Sequence, residues 1–259
     1  MSKRYVFKVG TTTLVHKTGR LNLRAMEDLV MVLSDLKNAG NQVVLVSSGA
    51  IGAGVGRLGL DGRPRDVAGK QACATVGQCE LMFMYDKLFA QYGHTVGQLL
   101  ITREDVEDPV RGKNLRAAFD RLFEYDAIPI VNENDAVAVD EIVYGDNDNL
   151  SAVVAVMIAA NDLILLTETD ALYTADPHKD PAARRIALVE HIDDTIRAVA
   201  QGAGTELGTG GMITKVHAAE VATAAGIDTY IMDGHSPRKI YDLLAGEDVG
   251  THFKAVKSC

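Results

Sequence analysis

Short apolar runs alternate along most of the chain with longer stretches in which apolar residues recur every three or four positions. Runs of four to eight apolar residues bounded by turn residues are typical of buried strands, and a three-to-four spacing is typical of amphipathic helices. The runs predict strands at residues 5–9, 43–46, 95–102, 127–131, 162–166, 228–232 and 251–256. The helical spacing predicts helices at residues 23–36, 50–60, 67–92, 112–125, 152–160, 192–201, 212–225 and 237–244.

The predicted strands are continuously apolar, and most of them are followed by a predicted helix. This order is typical of an α/β fold in which helices cover both faces of a mainly parallel sheet. The sequence contains no internal repeat, low-complexity tract or linker rich in Pro and Ser. We therefore expect one domain over residues 1–259.

Polar or glycine-rich clusters follow four of the predicted strands. In parallel sheets ligands bind beyond the carboxyl ends of the strands, so these clusters predict the rim of a binding site. The four clusters are Gly10-Thr11, Ser47-Ser48-Gly49, residues 132–135 and Thr167-Glu168.

The third of these clusters belongs to a stretch, residues 130–151, with seven Asn and Asp residues in two short loops. A β-branched segment at residues 137–143 separates the loops, and packing alone does not need so many polar side chains. Residues 146–149 superficially match a calcium-binding loop, but the required glycine and distal glutamate are missing. Turn formation and helix capping explain one or two of these side chains. The rest indicate that a polar ligand is held here.

The overall charge limits the classes of partner. The chain has 26 Lys and Arg against 35 Asp and Glu, a net charge of -9 and a pI near 5.2. Nucleic-acid-binding proteins usually present a basic face, so we expect no nucleic-acid partner. An acidic protein that binds anions needs local cations, which draws attention to lysines near glycine-rich loops.

Cysteine usage and hydropathy indicate the compartment. The three cysteines, Cys73, Cys79 and Cys259, are an odd number without metal-ligand spacing, and no secretory segment precedes residue 8. These features are typical of reduced thiols in a cytoplasmic protein. The longest apolar run, residues 152–160, is too short to cross a bilayer. We expect a cytoplasmic protein without membrane contact.

Three motifs are candidates for anion binding. Lys8 precedes Gly10, so a cation and an open backbone could meet a phosphate, or the lysine could lie on a solvated strand. The serines before Gly49 follow a strand and precede a helix, where they suit an anion or a simple N-cap. The glycines at 208–211 open a helix that carries Lys215, which is typical of a phosphate loop, with a mobile glycine loop as the alternative.

Other patterns carry little weight. Residues 54–59 match the dinucleotide motif G-x-G-x-x-G, but they begin several residues after the strand, so we interpret the match as chance. The seven histidines form no ligand-spaced pair, and no Ser-His-Asp or Cys-His arrangement is visible. We expect no metal held by protein ligands alone.

The motifs together resemble the amino-acid kinase family, in family order and over nearly the whole chain. The resemblance is closest to members that phosphorylate the side-chain carboxylate of L-glutamate with ATP and Mg²⁺, the first step of proline biosynthesis. It rests on K-V-G-T at 8, S-S-G-A-I at 47, V-N-E-N-D-A-V at 131, G-D-N-D-N-L-S at 145, L-L-T-E-T-D-A-L-Y-T-A-D-P at 165 and G-T-G-G-M-I-T-K at 208.

The resemblance implies a three-layer αβα sandwich, with substrate binding in the N-terminal part and nucleotide binding from about residue 165. Many bacterial members carry a further PUA domain, and we expect only the kinase domain here. Catalytic positions implied by the motifs are Lys8, Asp148 and Lys215. Substrate positions are Ser48, Gly49, Asn132, Asp135 and Asn147. Nucleotide positions are Lys8, Gly10, Thr167, Glu168, Thr209, Gly210, Gly211, Met212, Ile213, Thr214 and Lys215.

These implied roles agree with the chemistry. A carboxylate that attacks ATP brings negative charges together, and two lysines plus Mg²⁺ held by the ATP phosphates would neutralise them. A carboxylate is already ionised near pH 7, so no general base is needed. Two departures from the family pattern, Ala171 and residues 11–13, remove no charged group.

The resemblance also implies a homo-oligomer, dimer or tetramer, and possible feedback inhibition by proline. Rival substrates within the family are N-acetylglutamate, aspartate and nucleoside monophosphates. Asp135 favours a substrate with a free α-ammonium group, which N-acetylglutamate lacks. A non-catalytic sensor on the same fold is the alternative of another class, and the retention of Lys8, Asp148 and Lys215 speaks against it.

Overall fold

An eight-stranded sheet forms the centre of the structure, a computed structural model that describes residues 2–138, 147–177, 179–202 and 211–256. The strand order is β3-β4-β2-β1-β5-β7-β8-β6, and every neighbouring pair is parallel except β7 with β8. The strands are β1 (Arg4–Val9), β2 (Gln42–Ser47), β3 (Val96–Ile101), β4 (Ile128–Glu133), β5 (Asp162–Thr167), β6 (Leu188–Val189), β7 (Asp228–Asp233) and β8 (Thr251–Phe253).

Helices connect the strands. Within the described ranges, no helix is long and apolar enough to cross a membrane. The helices are α1 (Thr11–Leu14), α2 (Leu23–Asn38), α3 (Ala50–Leu58), α4 (Val67–Gln91), α5 (Arg103–Glu107), α6 (Pro109–Glu124), α7 (Asn147–Met157), α8 (Asp194–Gly202), α9 (Met212–Ala224) and α10 (Lys239–Leu244).

Both faces of the sheet are buried. Phe7 and Leu45 pack with α2 and α4 in one apolar core, whereas their neighbours Val6 and Val44 pack with α7 and α9 in a second core. Successive strand residues point to opposite faces, so a strand between two helical layers must be apolar throughout. The predicted three-layer α/β architecture with a mainly parallel sheet is confirmed.

Several details differ from the sequence prediction. The strands β6 and β8 lie at one end of the sheet, and β8 covers only three residues, which pair with residues 229–231 of β7. The short helices α1 and α5 were not predicted, since four or five residues show no period. The apolar run at 152–160 predicts a helix that starts too late: α7 begins at Asn147. The proposed β-branched segment at 137–143 lies mostly outside the described residues.

Two glycines allow α3 to pack directly on α4. A Cβ atom on Gly54 would lie 1.8 Å from the carbonyl oxygen of Cys73, and one on Gly77 would lie 1.8 Å from that of Ala50. Gly54 belongs to the apparent dinucleotide motif, and its role here is close packing between helices. This contact matters for the site because the first turns of α3 line a cavity that is described below.

We expect Gly54→Ala to lower the free energy of unfolding by about 1–3 kcal/mol or more, since the added methyl group forces two backbones apart. The matched control is Gly62→Ala in the loop between α3 and α4, where a Cβ would meet nothing within 4 Å. The control should stay within about 0.5 kcal/mol of the parent chain. Urea denaturation measures both. Equal stability of the two variants would contradict the close contact between α3 and α4.

Candidate active site

The four polar clusters lie along one edge of the sheet. They follow β4, β2, β1 and β5, which are consecutive neighbours in the sheet order. Hydrogen bonds join the strand ends: the Gly10 amide donates to the Leu166 carbonyl at 3.2 Å, and the Ser48 amide donates to the Val9 carbonyl at 3.2 Å. The sheet therefore brings together the segments that the sequence places far apart.

Asp148 lies between the two lysines that the motifs single out. Its Oδ1 is 2.7 Å from Lys8 Nζ, and its Oδ2 is 3.0 Å from Lys215 Nζ. All three residues are buried, with Asp148 only 1% exposed. Lys8 comes from β1 and Lys215 from the start of α9, so one carboxylate connects opposite ends of the chain.

Two effects act in opposite directions on the pKa of Asp148. Burial favours the neutral acid, but the charges of Lys8 and Lys215, and the hydrogen bonds from both, favour the carboxylate. The lysines prevail together and hold the pKa of Asp148 well below its usual range. Two ammonium groups against one carboxylate leave this buried cluster with a net positive charge.

The first turn of α7 positions Asp148. A carboxylate is favoured there because the helix dipole is positive at its N-terminus. The hydroxyl of Ser151 donates to the Asp148 carbonyl oxygen at 2.6 Å, which fixes the same turn. The hydroxyl of Thr214 lies 2.8 Å from Asp148 Oδ2 and 2.8 Å from the Gly211 carbonyl oxygen, so α9 contacts the carboxylate through a second side chain.

A cavity of about 390 Å³ adjoins this cluster. It is lined by all five residues at the implied substrate positions, and Asn147, one of the five, directly precedes Asp148 in the chain. Asn132 is 2% exposed, whereas the opposite wall is open to solvent, so the cavity has a buried base and an exposed mouth. The five residues are Ser48, Gly49, Asn132, Asp135 and Asn147.

The base of the cavity is a network of side-chain amides. Asn147 Nδ2 lies 3.0 Å from Ser48 Oγ and 3.0 Å from Asn132 Oδ1, within reach of both as a donor. Asn132 in turn donates from Nδ2 to Gln78 Oε1 at 2.8 Å. Ser47 joins the same region through a 2.8 Å hydrogen bond with the buried hydroxyl of Tyr85.

The cavity has further lining residues that the sequence analysis missed. His16 and Lys17 line it from the turn that closes the Val15–Leu21 bridge, and Arg63 lines it from the loop before α4. Gly19 holds this turn against α3, because a Cβ on it would lie 2.6 Å from Gly56. The one sequence signal for this turn was Gly19 within a short polar segment. It could not be interpreted without the contact partner. The other missed lining residues include Thr12 and Ile51, whereas Thr11 and Glu133 belong to the predicted rim clusters.

The structure describes most of the nucleotide positions that the motifs imply. Thr167 is buried at the end of β5, and Gly10 follows β1. Gly211 is the N-cap of α9 and makes no side-chain hydrogen bond to that helix, and a helix N-terminus favours anions. Met212 is buried, and Glu168 and Ile213 are exposed. Thr209 and Gly210 lie outside the described residues.

This donor set fits a nucleotide that brings its own metal ion. Ammonium groups and helix amides suit phosphates, and Mg²⁺ in kinases is bound mainly by phosphate and water oxygens. Across the described ranges, no three His, Cys, Asp or Glu side chains form a group that could hold a metal ion.

Comparison with known proteins identifies close relatives. The amino acid kinase family model matches residues 3–233. The glutamate 5-kinase of Clostridium tetani is 50% identical over 255 residues, which cover 98% of this chain and 96% of the relative. The glutamate 5-kinase of Symbiobacterium thermophilum is 51% identical over 251 residues, covering 97% and 95%.

Solved structures share the fold at much lower identity. Carbamate kinase from Giardia lamblia, bound to AMP-PNP, superposes with a TM-score of 0.67 at 19% identity and covers 98% of this chain and 99% of that chain. UMP kinase from Bacillus anthracis gives a TM-score of 0.64 at 15% identity, covering 99% and 98%. By its sequence and its fold, this chain belongs to the amino acid kinase family, and its relatives at about half identity are glutamate 5-kinases.

Proposed function

We propose that this chain transfers the terminal phosphoryl group of ATP to the side-chain carboxylate of L-glutamate, giving L-glutamyl 5-phosphate for proline biosynthesis. The observation that carries the proposal is the Lys8–Asp148–Lys215 cluster beside the cavity lined by the five substrate positions. The identity of about 50% to glutamate 5-kinases over nearly the whole chain supports the same reaction.

The reaction needs charge neutralisation more than proton transfer. An oxygen of the glutamate side-chain carboxylate bonds to the terminal phosphorus, the bond from phosphorus to the β-phosphate bridging oxygen breaks, and ADP leaves with that electron pair. Lys8 and Lys215 place two positive charges where the phosphoryl oxygens and the incoming carboxylate meet. Asp148 holds both ammonium groups in position, so little reorganisation is required during transfer.

The cavity sets the direction of the amino acid. Its side-chain carboxylate points to the lysines, and its α-ammonium group lies near Asp135. The amides of Asn132 and Asn147, with Ser48, contact the remaining polar groups of the substrate. Holding the two reactants in one geometry removes much of the entropic cost of a two-substrate reaction.

ATP binds with Mg²⁺, which neutralises charge on the phosphate oxygens. From this chain, the start of α9 approaches the phosphates through its backbone amides, and Gly10, which has no side chain, lets them lie close to the end of β1. Thr167 and Glu168, at the end of β5, lie next to the part of the nucleotide beyond the phosphates. Thr214, one of the proposed nucleotide positions, also contacts Asp148, so a direct hydrogen bond joins the nucleotide site to the Asp148 carboxylate.

Finer features are part of the proposal. One kinase domain binds the amino acid in its N-terminal part and the nucleotide from about residue 165. Proline, which shares the α-carboxylate and a charged amine with glutamate, inhibits by occupying the same cavity. The protein acts as a homo-oligomer in the cytoplasm, a location with which the free thiols of Cys73 and Cys79 agree.

The substrate assignment is tested with hydroxylamine, which traps an acyl phosphate as a hydroxamate. With ATP and Mg²⁺, we expect hydroxamate from L-glutamate and far less from L-aspartate or N-acetylglutamate. Aspartate is one methylene too short to reach the lysines while its ammonium group stays near Asp135, and acetylation removes the charge that Asp135 binds. Hydroxamate from either rival but not from glutamate would refute the substrate, and none from any would favour a sensor.

The lysine cluster is tested by Lys215→Ala and Asp148→Asn. We expect each to lower kcat by about 100-fold or more, the loss seen when a group that stabilises transition-state charge is removed. The matched control is Lys37→Ala, which removes another buried lysine paired with an aspartate, Asp126, and neither of these residues lines the cavity. Steady-state kinetics and thermal unfolding separate activity from stability. If both cluster variants kept near-normal turnover, the assigned roles would be wrong.

A further inference from the structure

A buried hydrogen-bonded chain runs from the long helix α4 to the base of the cavity. It starts at Gln78, whose Oε1 accepts a hydrogen bond from Asn132 Nδ2 at 2.8 Å. Gln78 is 9% exposed and Asn132 is 2% exposed. A buried amide pair of this kind is costly to leave unsatisfied, so its geometry is firmly specified.

The second member of the chain is fixed from both ends. Asn132 Oδ1 accepts from the Glu133 backbone amide at 2.9 Å, and Asn147 Nδ2 donates to it at 3.0 Å. An amide oxygen has two lone pairs, and both are used here. The oxygen of Gln78 on one side and the amide of Glu133 on the other therefore allow only one orientation of the Asn132 side chain.

Asn147 is the third member of the chain, and its orientation follows from that of Asn132. Asn147 turns its Nδ2 toward Asn132 Oδ1, Ser48 Oγ and the Ser47 carbonyl oxygen, all within 3.2 Å. Its own Oδ1 is buried and has no hydrogen-bond partner among the described residues, and Asn147 lines the cavity. A buried acceptor without a partner is rare and calls for an explanation. A donor group on the ligand would satisfy it.

We propose that Gln78 is a positioning residue for substrate selection. Gln78 fixes the orientation of the Asn132 side chain and, through it, that of Asn147. The side-chain Oδ1 of Asn147 is then free to accept a hydrogen bond from the α-ammonium group of the amino acid, beside Asp135. This role rests on the proposed glutamate phosphorylation and adds to it a residue of α4 that lines no part of the cavity. The ligand class that the chain selects is a dicarboxylate with a free α-ammonium group.

The alternative is that Gln78 is only a satisfied polar residue in the core. A core residue of that kind affects stability and affects all ligands of the cavity alike. A positioning residue affects ligands that carry the ammonium group and spares those that lack it. Glutarate provides this comparison, because it has both carboxylates of glutamate and no amine.

The central variant is Gln78→Met, which keeps the approximate volume of the side chain and removes the acceptor. We expect KM for glutamate to rise about tenfold, as for the loss of one binding interaction, with little change in kcat or in KM for ATP. The inhibition constant of glutarate, measured in competition with glutamate, should change less than about twofold because glutarate makes no ammonium contact.

Two further variants complete the test. Gln78→Glu keeps an acceptor oxygen toward Asn132 when it is ionised, so at pH 8.5 it should restore most of the affinity for glutamate. Gln91→Met changes a glutamine at the exposed end of the same helix and should leave all constants unchanged. Thermal unfolding of each variant reports any separate loss of stability.

The outcomes are distinguishable. A parallel rise for glutamate and glutarate, or an unchanged KM for glutamate in Gln78→Met, overturns the positioning role. If Gln78→Met does not fold, Gln78→Glu decides alone: an affinity for glutamate close to that of the parent chain supports the role, and a loss shared with glutarate overturns it. Absence of hydroxamate from glutamate in the parent chain would instead refute the proposed function.

Discussion

An ionised carboxylate buried between two ammonium groups is the interaction on which the rest of the site depends. Asp148 is 1% exposed, and it stays charged mainly because Lys8 and Lys215 lie 2.7 Å and 3.0 Å from its two oxygens. Removing Asp148 would leave two ammonium groups in the interior without this carboxylate, which is costly. The cluster therefore holds β1, α7 and α9 together, in addition to providing positive charge that can bind anions.

The parallel sheet makes this cluster possible. Because β4, β2, β1 and β5 are neighbours, their carboxyl ends place the cavity, Lys8 and the proposed nucleotide positions along one edge. The helices α7 and α9 then begin at the same edge, where their N-termini suit Asp148 and phosphates respectively. A third helix, α4, contributes through Gln78, which we propose sets the orientation of the side-chain amides of Asn132 and Asn147 at the base of the cavity.

Much of this arrangement could be predicted from the sequence, and the failures have physical causes. Continuous apolar runs identified the buried parallel strands, since both faces of the sheet are covered. Periodicity placed the start of α7 too late, because its polar first turn, with Asp148, is stabilised by contacts from Lys8 and Lys215. The turn with His16 and Lys17, and Gln78, were missed because their roles depend on partners distant in the chain, Gly56 and Asn132.

The site depends above all on the ionised state of Asp148, and that state can be measured. Its side-chain carboxyl carbon can be followed by ¹³C NMR from pH 7 to pH 3.5 in the ligand-free protein, with Asp148→Asn to assign the resonance. Because the folded-state pKa is depressed, we expect no titration in this range, whereas an ordinary aspartate has a pKa of about 3.9 and would be more than half protonated at the acid end. A titration midpoint near or above the ordinary value would show that the two lysines do not hold the carboxylate of Asp148 ionised.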